Sequence, residues 1–115
     1  MGLRKPESWQ LPVWKAVAMI RDAVGWSKRR MAAEMGIAFG QWAQYEQGLV
    51  QLSLRRLDRF RELTGIDPYV LAYFLYVNTS KLPKPVQEKM EGLKEEWMTQ
   101  MKIMRQMRQI LPTWQ

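Results

Sequence analysis

The chain has 115 residues, of which 47% are hydrophobic and 25% charged, a composition ordinary for one small folded domain. It contains neither cysteine nor histidine, which excludes disulfide bonds, cysteine and histidine nucleophiles and the usual zinc ligands. Eighteen basic against eleven acidic side chains give a net charge of +7, which favours polyanions such as nucleic acid as partners.

The first ten residues contain Pro6 and no helical or strand periodicity, so we expect a loosely docked arm. Neither this arm nor any later stretch resembles a secretion signal or an apolar span of roughly 18 residues. The sequence therefore predicts a cytoplasmic protein without a membrane segment.

Helix one is predicted from Pro12, since proline suits the first helical position, to about Gly25. Apolar residues recur at intervals of four and three along it and form a core stripe. The members of this stripe are Val13, Val17, Ile20 and Val24. Arg21 lies beside the stripe.

Two short helices joined by a tight turn are predicted between residues 27 and 48. Ser27 can cap the first of them, and Gly36 can adopt the left-handed conformation that ends it. Phe39 and Trp42 begin the second, which Gly48 stops. This pattern is typical of a helix-turn-helix, whose second helix can enter the major groove of DNA.

Two more helices are predicted before residue 78. Ser53 caps helix four, which Gly65 ends, and its core stripe consists of Leu54, Leu57, Phe60 and Leu63. Asp67 and Pro68 begin helix five, which is apolar on all sides over residues 69–77. Such a helix must be covered on most sides, either by the C-terminal segment or by another subunit.

A polar, proline-containing linker at residues 79–85 separates this five-helix domain, residues 11–78, from a long helix predicted at residues 86–111. The apolar face of the long helix is rich in methionine, which adapts to irregular surfaces. Two interpretations stay open: the helix covers helix five of its own chain, or it is a dimerisation arm. We favour the arm, because at 1.5 Å per residue the helix is about 40 Å long and outspans a small domain. The predicted dimerisation residues are Met90, Leu93, Trp97, Met101 and Met104.

The helix-turn-helix stretch resembles the phage-repressor family, which includes Cro and the lambda and 434 repressors and is also called XRE. The residues that match the family pattern are Ala32, Gly36, Trp42, Glu46 and Gly48. The likeness extends from about Trp14 to Val77, through Ile20–Arg21 in helix one and residues 63–66 after helix four. It implies an all-α fold with a five-helix lambda-repressor-like domain followed by the long C-terminal helix. It also implies a structural ion pair between Arg21 and Glu46.

The same resemblance implies two sets of DNA contacts. The predicted phosphate contacts are Lys28, Arg29, Arg30, Arg55 and Arg56, and the predicted base contacts are Phe39, Gln41 and Gln44. Glutamine can bind adenine with two hydrogen bonds, and an apolar side chain can contact the methyl group of thymine. Helix three carries no arginine or lysine, so we expect no guanine recognition from it and a site that leans towards A·T pairs.

The leading hypothesis is therefore a sequence-specific DNA-binding transcriptional regulator, a repressor or autoregulator that binds a palindromic operator as a homodimer. The alternative is a protein-interaction module that keeps the helix-turn-helix fold, such as an antitoxin or adaptor, and binds through helix five and the C-terminal helix. Gly40 and the lack of arginine and lysine in helix three favour the alternative. The basic residues at the starts of helices two and four oppose it. No carboxylate pair, nucleophile with a base, metal-ligand cluster or phosphate loop can be assembled, so we expect no catalytic residue, cofactor or metal.

Overall fold

The computed structural model describes residues 11–110, and within residues 11–107 it also describes the side chains. This part of the chain contains no strand and folds into helices α1 (Val13–Ala23), α2 (Lys28–Met35), α3 (Phe39–Glu46), α4 (Leu54–Thr64), α5 (Pro68–Tyr76) and α6 (Lys84–Ile110). The prediction of an all-α fold with a long C-terminal helix is confirmed. The predicted N-terminal arm, and the predicted end of the last helix at residue 111, lie outside the described residues.

The helix boundaries follow from local capping. Ser27 and Ser53 each accept a hydrogen bond from the backbone N–H three residues later, at 3.0 and 3.3 Å. Gly36 and Gly65 end their helices with left-handed φ values of 73° and 77°. Asp67 accepts hydrogen bonds from two backbone N–H groups in the first turn of α5. All five capping residues are those that the sequence predicts.

The last helix begins two residues earlier than predicted, at Lys84 rather than Val86. Pro85 therefore lies in its first turn instead of in the linker. Proline is tolerated there, because the N–H groups of the first turn have no partner within the helix. The backbone oxygen of Pro83 accepts from the N–H groups of Val86 and Gln87, both at 3.0 Å, which begins the helical hydrogen bonding.

The hydrophobic core lies around α1, which packs against α3, α5 and α6. Ile20 of α1, Trp42 of α3 and Phe60 of α4 are each fully buried. The ring of Trp42 stacks on that of Phe60 at 6.0 Å between centroids and meets the edge of Tyr45 at 5.9 Å. Trp42 thus anchors α3 in the core.

Helix α6 packs against α1 and α5 of its own chain. Met101 is only 5% exposed and belongs to the core, and Trp97 and Met104 pack partly buried against it. The structure thus corrects the prediction that Met101 contacts a partner, because the chain's own core already encloses it. Met90 is half-buried, and Leu93 is 45% exposed.

Residues 11–107 cover one side of helix α5 and leave the other partly exposed. Leu71, Ala72 and Leu75 are buried, whereas Tyr69, Val70 and Tyr73 keep 41%, 45% and 47% of their surface exposed. The apolar sequence of this helix therefore supplies a core face and an outer face. None of the six helices is long and apolar enough to cross a membrane within residues 11–110.

Candidate nucleic-acid interface

Helices α2 and α3 form a compact pair around the turn at Gly36. The N–H of Ile37 donates to the backbone oxygen of Ala32 at 3.0 Å, which closes the turn. The inner sides of the pair are buried and consist of Met31, Ala32, Met35, Trp42 and Tyr45. Because those side chains are fixed in the core, the direction in which the opposite side of α3 faces is fixed as well.

A bidentate ion pair holds α3 on α1. Arg21 donates from Nε to Glu46 Oε2 at 2.6 Å and from Nη2 to Oε1 at 3.2 Å. The indole Nε1 of Trp42 donates to the same Oε2 at 2.6 Å, and Arg21 Nη1 donates to the backbone oxygen of Trp26 at 2.7 Å. The two side chains are 14% and 4% exposed. Glu46 is thus fully engaged in positioning α3, as the resemblance implies.

The outward side of α3 contains Gly40 and Gln44, which lie about 40° apart on the helix since each residue turns by ~100°. Phe39 and Gln41 lie at its two edges. Gln44 makes no side-chain hydrogen bond to any described residue, whereas Gln41 donates from Nε2 to Tyr45 Oη at 3.3 Å. Among the predicted base-contacting residues, Gln44 and Phe39 are therefore available, and Gln41 is already held by a neighbour.

Packing among the described residues does not require glycine at position 40. A Cβ atom built at this position meets nothing within 4 Å, and the residue has helical rather than left-handed geometry. Glycine in such a place costs about 1 kcal/mol relative to alanine. The missing side chain leaves the backbone of α3 open to close approach by another molecule.

Five cations, four of them exposed and Arg56 half-buried, are candidates for contact with a polyanion. They come from the starts of α2 and α4, and neither helix carries an acidic residue in its first turn. These residues, here called the basic face, are Lys28, Arg29, Arg30, Arg55 and Arg56.

Most of the basic face is not neutralised by the chain itself. Lys28, Arg29 and Arg55 form no salt bridge within residues 11–107. Arg30 lies over the ring of Trp26 at 4.4 Å, with Glu34 at 3.8 Å. Arg56 donates to Tyr45 Oη and lies 5.9 Å from the centre of its ring.

The arginines further along α4 differ from those at its start. Arg59 approaches Glu62 at 3.6 Å, and Arg61 pairs with Asp58 and with Asp67, the latter at 2.9 Å. Both side chains stay partly exposed, and each is engaged by a carboxylate. On α2 and α4, the cations that form no salt bridge within residues 11–107 therefore lie in the first turn of each helix.

Sequence reasoning missed the contact between Arg29 and Phe39. The guanidinium carbon lies 4.6 Å from the centre of the phenyl ring, so the second residue of α2 is stacked on the first residue of α3. The sequence holds no signal for it, because the turn joins the end of α2 to the start of α3, whereas Arg29 lies at the start of α2. The rotamers that complete the contact are not visible in the sequence.

Comparison with protein-family models, with curated proteins and with solved structures finds no match to this chain. Within the described part of the chain, no three side chains of the Asp, Glu, His and Cys type are grouped so as to hold a metal ion.

Proposed function

We propose that this protein is a sequence-specific DNA-binding regulator, a repressor or autoregulator of the phage-repressor type, that binds a palindromic operator as a homodimer. The support comes from the arrangement of α2 and α3, whose buried inner sides fix the outward side of α3. A helix presented in this way can enter the major groove with its N-terminal residues at the base edges.

The observation that carries the proposal is the uncompensated charge of the basic face. Within residues 11–107, Lys28, Arg29 and Arg55 form no salt bridge, although Arg59 and Arg61 are paired with acids. Cations left unpaired around an exposed helix suit the phosphates on either side of a groove. Phosphate at the start of α2 also benefits from the N–H groups of that helix terminus.

Base recognition is assigned to the outward side of α3. The amide of Gln44 has no partner in the described structure and can donate to N7 and accept from N6 of adenine. Phe39 is 41% exposed and offers an apolar contact to a thymine methyl. Gly40 allows the helix backbone to come close to the groove floor.

The homodimer belongs to the same proposal, because a palindromic site requires two copies of α3 about one DNA turn apart. Exposed apolar side chains suited to such contact remain on α5 and on the first half of α6. They are Tyr69, Val70, Tyr73, Val86 and Leu93.

The deciding experiment is selection of bound DNA from a randomised duplex pool at near-physiological salt. We expect an enriched inverted repeat with half-sites about 10–11 base pairs apart. Gln44→Ala should lose preference at one position of each half-site, while Gln100→Ala, on the exposed surface of α6, should keep it. Absence of any enriched sequence, with only salt-sensitive general binding, contradicts the proposal.

The exposed face of α5 favours a second candidate, a protein-interaction module built on the same fold. Tyr69, Val70 and Tyr73 form an apolar strip at helical spacing that the described residues leave 41–47% exposed. Tyr73→Glu separates the two candidates by a direct test. An interaction module loses its protein partner with this change, whereas a monomeric contact with one DNA half-site keeps its base preference.

A further inference from the structure

Arg29 occupies a position that a simple phosphate contact does not require. Its guanidinium lies 4.6 Å from the centre of the Phe39 ring, and the side chain forms no salt bridge to any described residue. Both side chains are exposed, and Phe39 is the first residue of α3. The charge is thus held at the N-terminal end of the recognition helix, where base edges are read in this architecture.

Stacking on an aromatic ring restricts the orientation of the planar guanidinium. A phosphate is satisfied by a mobile point charge, but the O6 and N7 acceptors of guanine need two parallel N–H donors at a fixed angle. An arginine held in one orientation is therefore better suited to bind a guanine base than to bind a DNA phosphate. The apolar ring of Phe39, which lies against the Arg29 guanidinium, can contact the 5-methyl group of a neighbouring thymine.

We propose that Arg29 and Phe39 act together as one base-reading unit for a guanine and an adjacent thymine in each half-site. Arg29 donates to O6 and N7 of the guanine, and Phe39 contacts the thymine methyl. This inference rests on the proposed function and refines it. Guanine recognition, which α3 cannot supply from its own side chains, comes from α2, and the operator contains a G·C pair beside a T·A pair.

The test uses the full chain and the duplex enriched in the selection described above. In wild-type protein, replacing the guanine pair by A·T should weaken binding by about 5- to 150-fold, the range for one bidentate contact. Arg29→Ala should bind the two duplexes equally. Replacing the thymine by uracil, which removes only the methyl group, should weaken wild-type binding but leave Phe39→Ala unaffected.

Phe39→Leu keeps an apolar side chain but removes the ring under the guanidinium. We expect it to retain the thymine preference and lose most of the guanine preference, an outcome that a purely structural role of Phe39 does not produce. Circular dichroism verifies that these exposed substitutions leave the helices intact.

Arg55→Ala is the matched control, since Arg55 is also an exposed cation of the basic face that forms no salt bridge within residues 11–107. It should weaken binding to every duplex alike and lower the slope of log affinity against log salt by about 0.9. If Arg29→Ala also weakens binding to every duplex alike and still prefers the guanine pair, Arg29 is a phosphate contact. That result overturns this inference but leaves the proposed function as a DNA-binding regulator intact. If no duplex is enriched at all, the proposed function fails, and this inference fails with it.

Discussion

The helix-turn-helix pair and the C-terminal helix are held in place by different means. α2 and α3 have eight residues each and between them bury Met31, Ala32, Met35, Trp42 and Tyr45. α6 has 27 residues, yet Met101 is its one buried side chain up to residue 107. Helices shorter than about 12–15 residues are marginal alone, so the core must hold α2 and α3, whereas α6 is long enough to need fewer contacts. An apolar stripe therefore predicts a helix but not how deeply that helix is buried.

The largest effect is expected where α3 is fixed to α1. Arg21→Met leaves Glu46 with a buried charge and removes both hydrogen bonds of the bidentate pair. We expect a loss of about 3–5 kcal/mol in the free energy of unfolding, measured by urea denaturation. The control is Glu62→Gln, which breaks the exposed pair with Arg59 and should cost less than about 1 kcal/mol. Equal effects of the two changes contradict the structural role assigned to the buried pair.

The anchor of α6 comes next. Met101→Ala opens a cavity against α1 and α5 and should cost about 2–5 kcal/mol in unfolding free energy. Met107→Ala, on an exposed part of the same helix, should change stability by less than about 0.5 kcal/mol. If the Met101 variant is as stable as wild type and unfolding depends on protein concentration, α6 is held by a second copy instead.

Between the two regions lies α5, whose start depends on Asp67. Partial burial raises the pKa of this carboxyl, but hydrogen bonds from Arg61 and from the N–H groups of Tyr69 and Val70 outweigh it and lower the pKa below its usual value. Its stabilising contribution is therefore complete above the unfolded pKa of about 3.9 and is lost as the pH falls through the lower folded value. Asp67→Ala should cost about 1 kcal/mol at neutral pH.

The measurement for Asp67 is the stability difference between wild type and variant as a function of pH. We expect the difference to shrink as the solution is acidified below the ordinary carboxyl range. A difference that stays constant even when the pH falls well below that range shows that the charge of Asp67 does not contribute.

The smallest effect compares two glycines directly. Gly40 in α3 and Gly92 in α6 are both helical, and a Cβ atom at either meets nothing within 4 Å. Alanine at each should raise stability by about 0.5–1 kcal/mol. Only Gly40→Ala should weaken binding to the selected duplex, because the proposed function brings α3 close to DNA and leaves α6 away from it. Equal DNA affinity of both variants contradicts close approach at Gly40.

The sequence predicts the local features of this fold well, because caps and turns depend on neighbouring residues. Ser27, Gly36, Ser53, Gly65 and Asp67 each carry out the capping role that their residue type implies. The partner of α6 was not predictable in this way. Periodicity places Met101 on an apolar face, but whether that face meets the same chain or another one depends on tertiary geometry.

In the candidate site, too, the sequence predicts the residue types but not the contacts between them. The identities of the basic residues are evident in the sequence, and so is the absence of arginine and lysine from α3. The sequence does not show which cations form salt bridges within residues 11–107. Arg55 and Arg59 have the same residue type on the same helix, yet only Arg59 pairs with a carboxylate and donates to the backbone oxygen of Glu34. The engagement of Gln41 by Tyr45 likewise depends on side-chain placement that spacing does not determine.

The hydrogen bond from Trp42 to Glu46 also gives this molecule a built-in probe. The indole proton is enclosed in a fully buried side chain and is bound to a carboxylate at 2.6 Å, so its exchange with deuterium requires the α1–α3 contact to open. Trp97, partly exposed on α6, has no such shelter. Exchange of the Trp42 indole proton can therefore report on opening of the α1–α3 contact, with the faster exchange of Trp97 as an internal reference, without any added label.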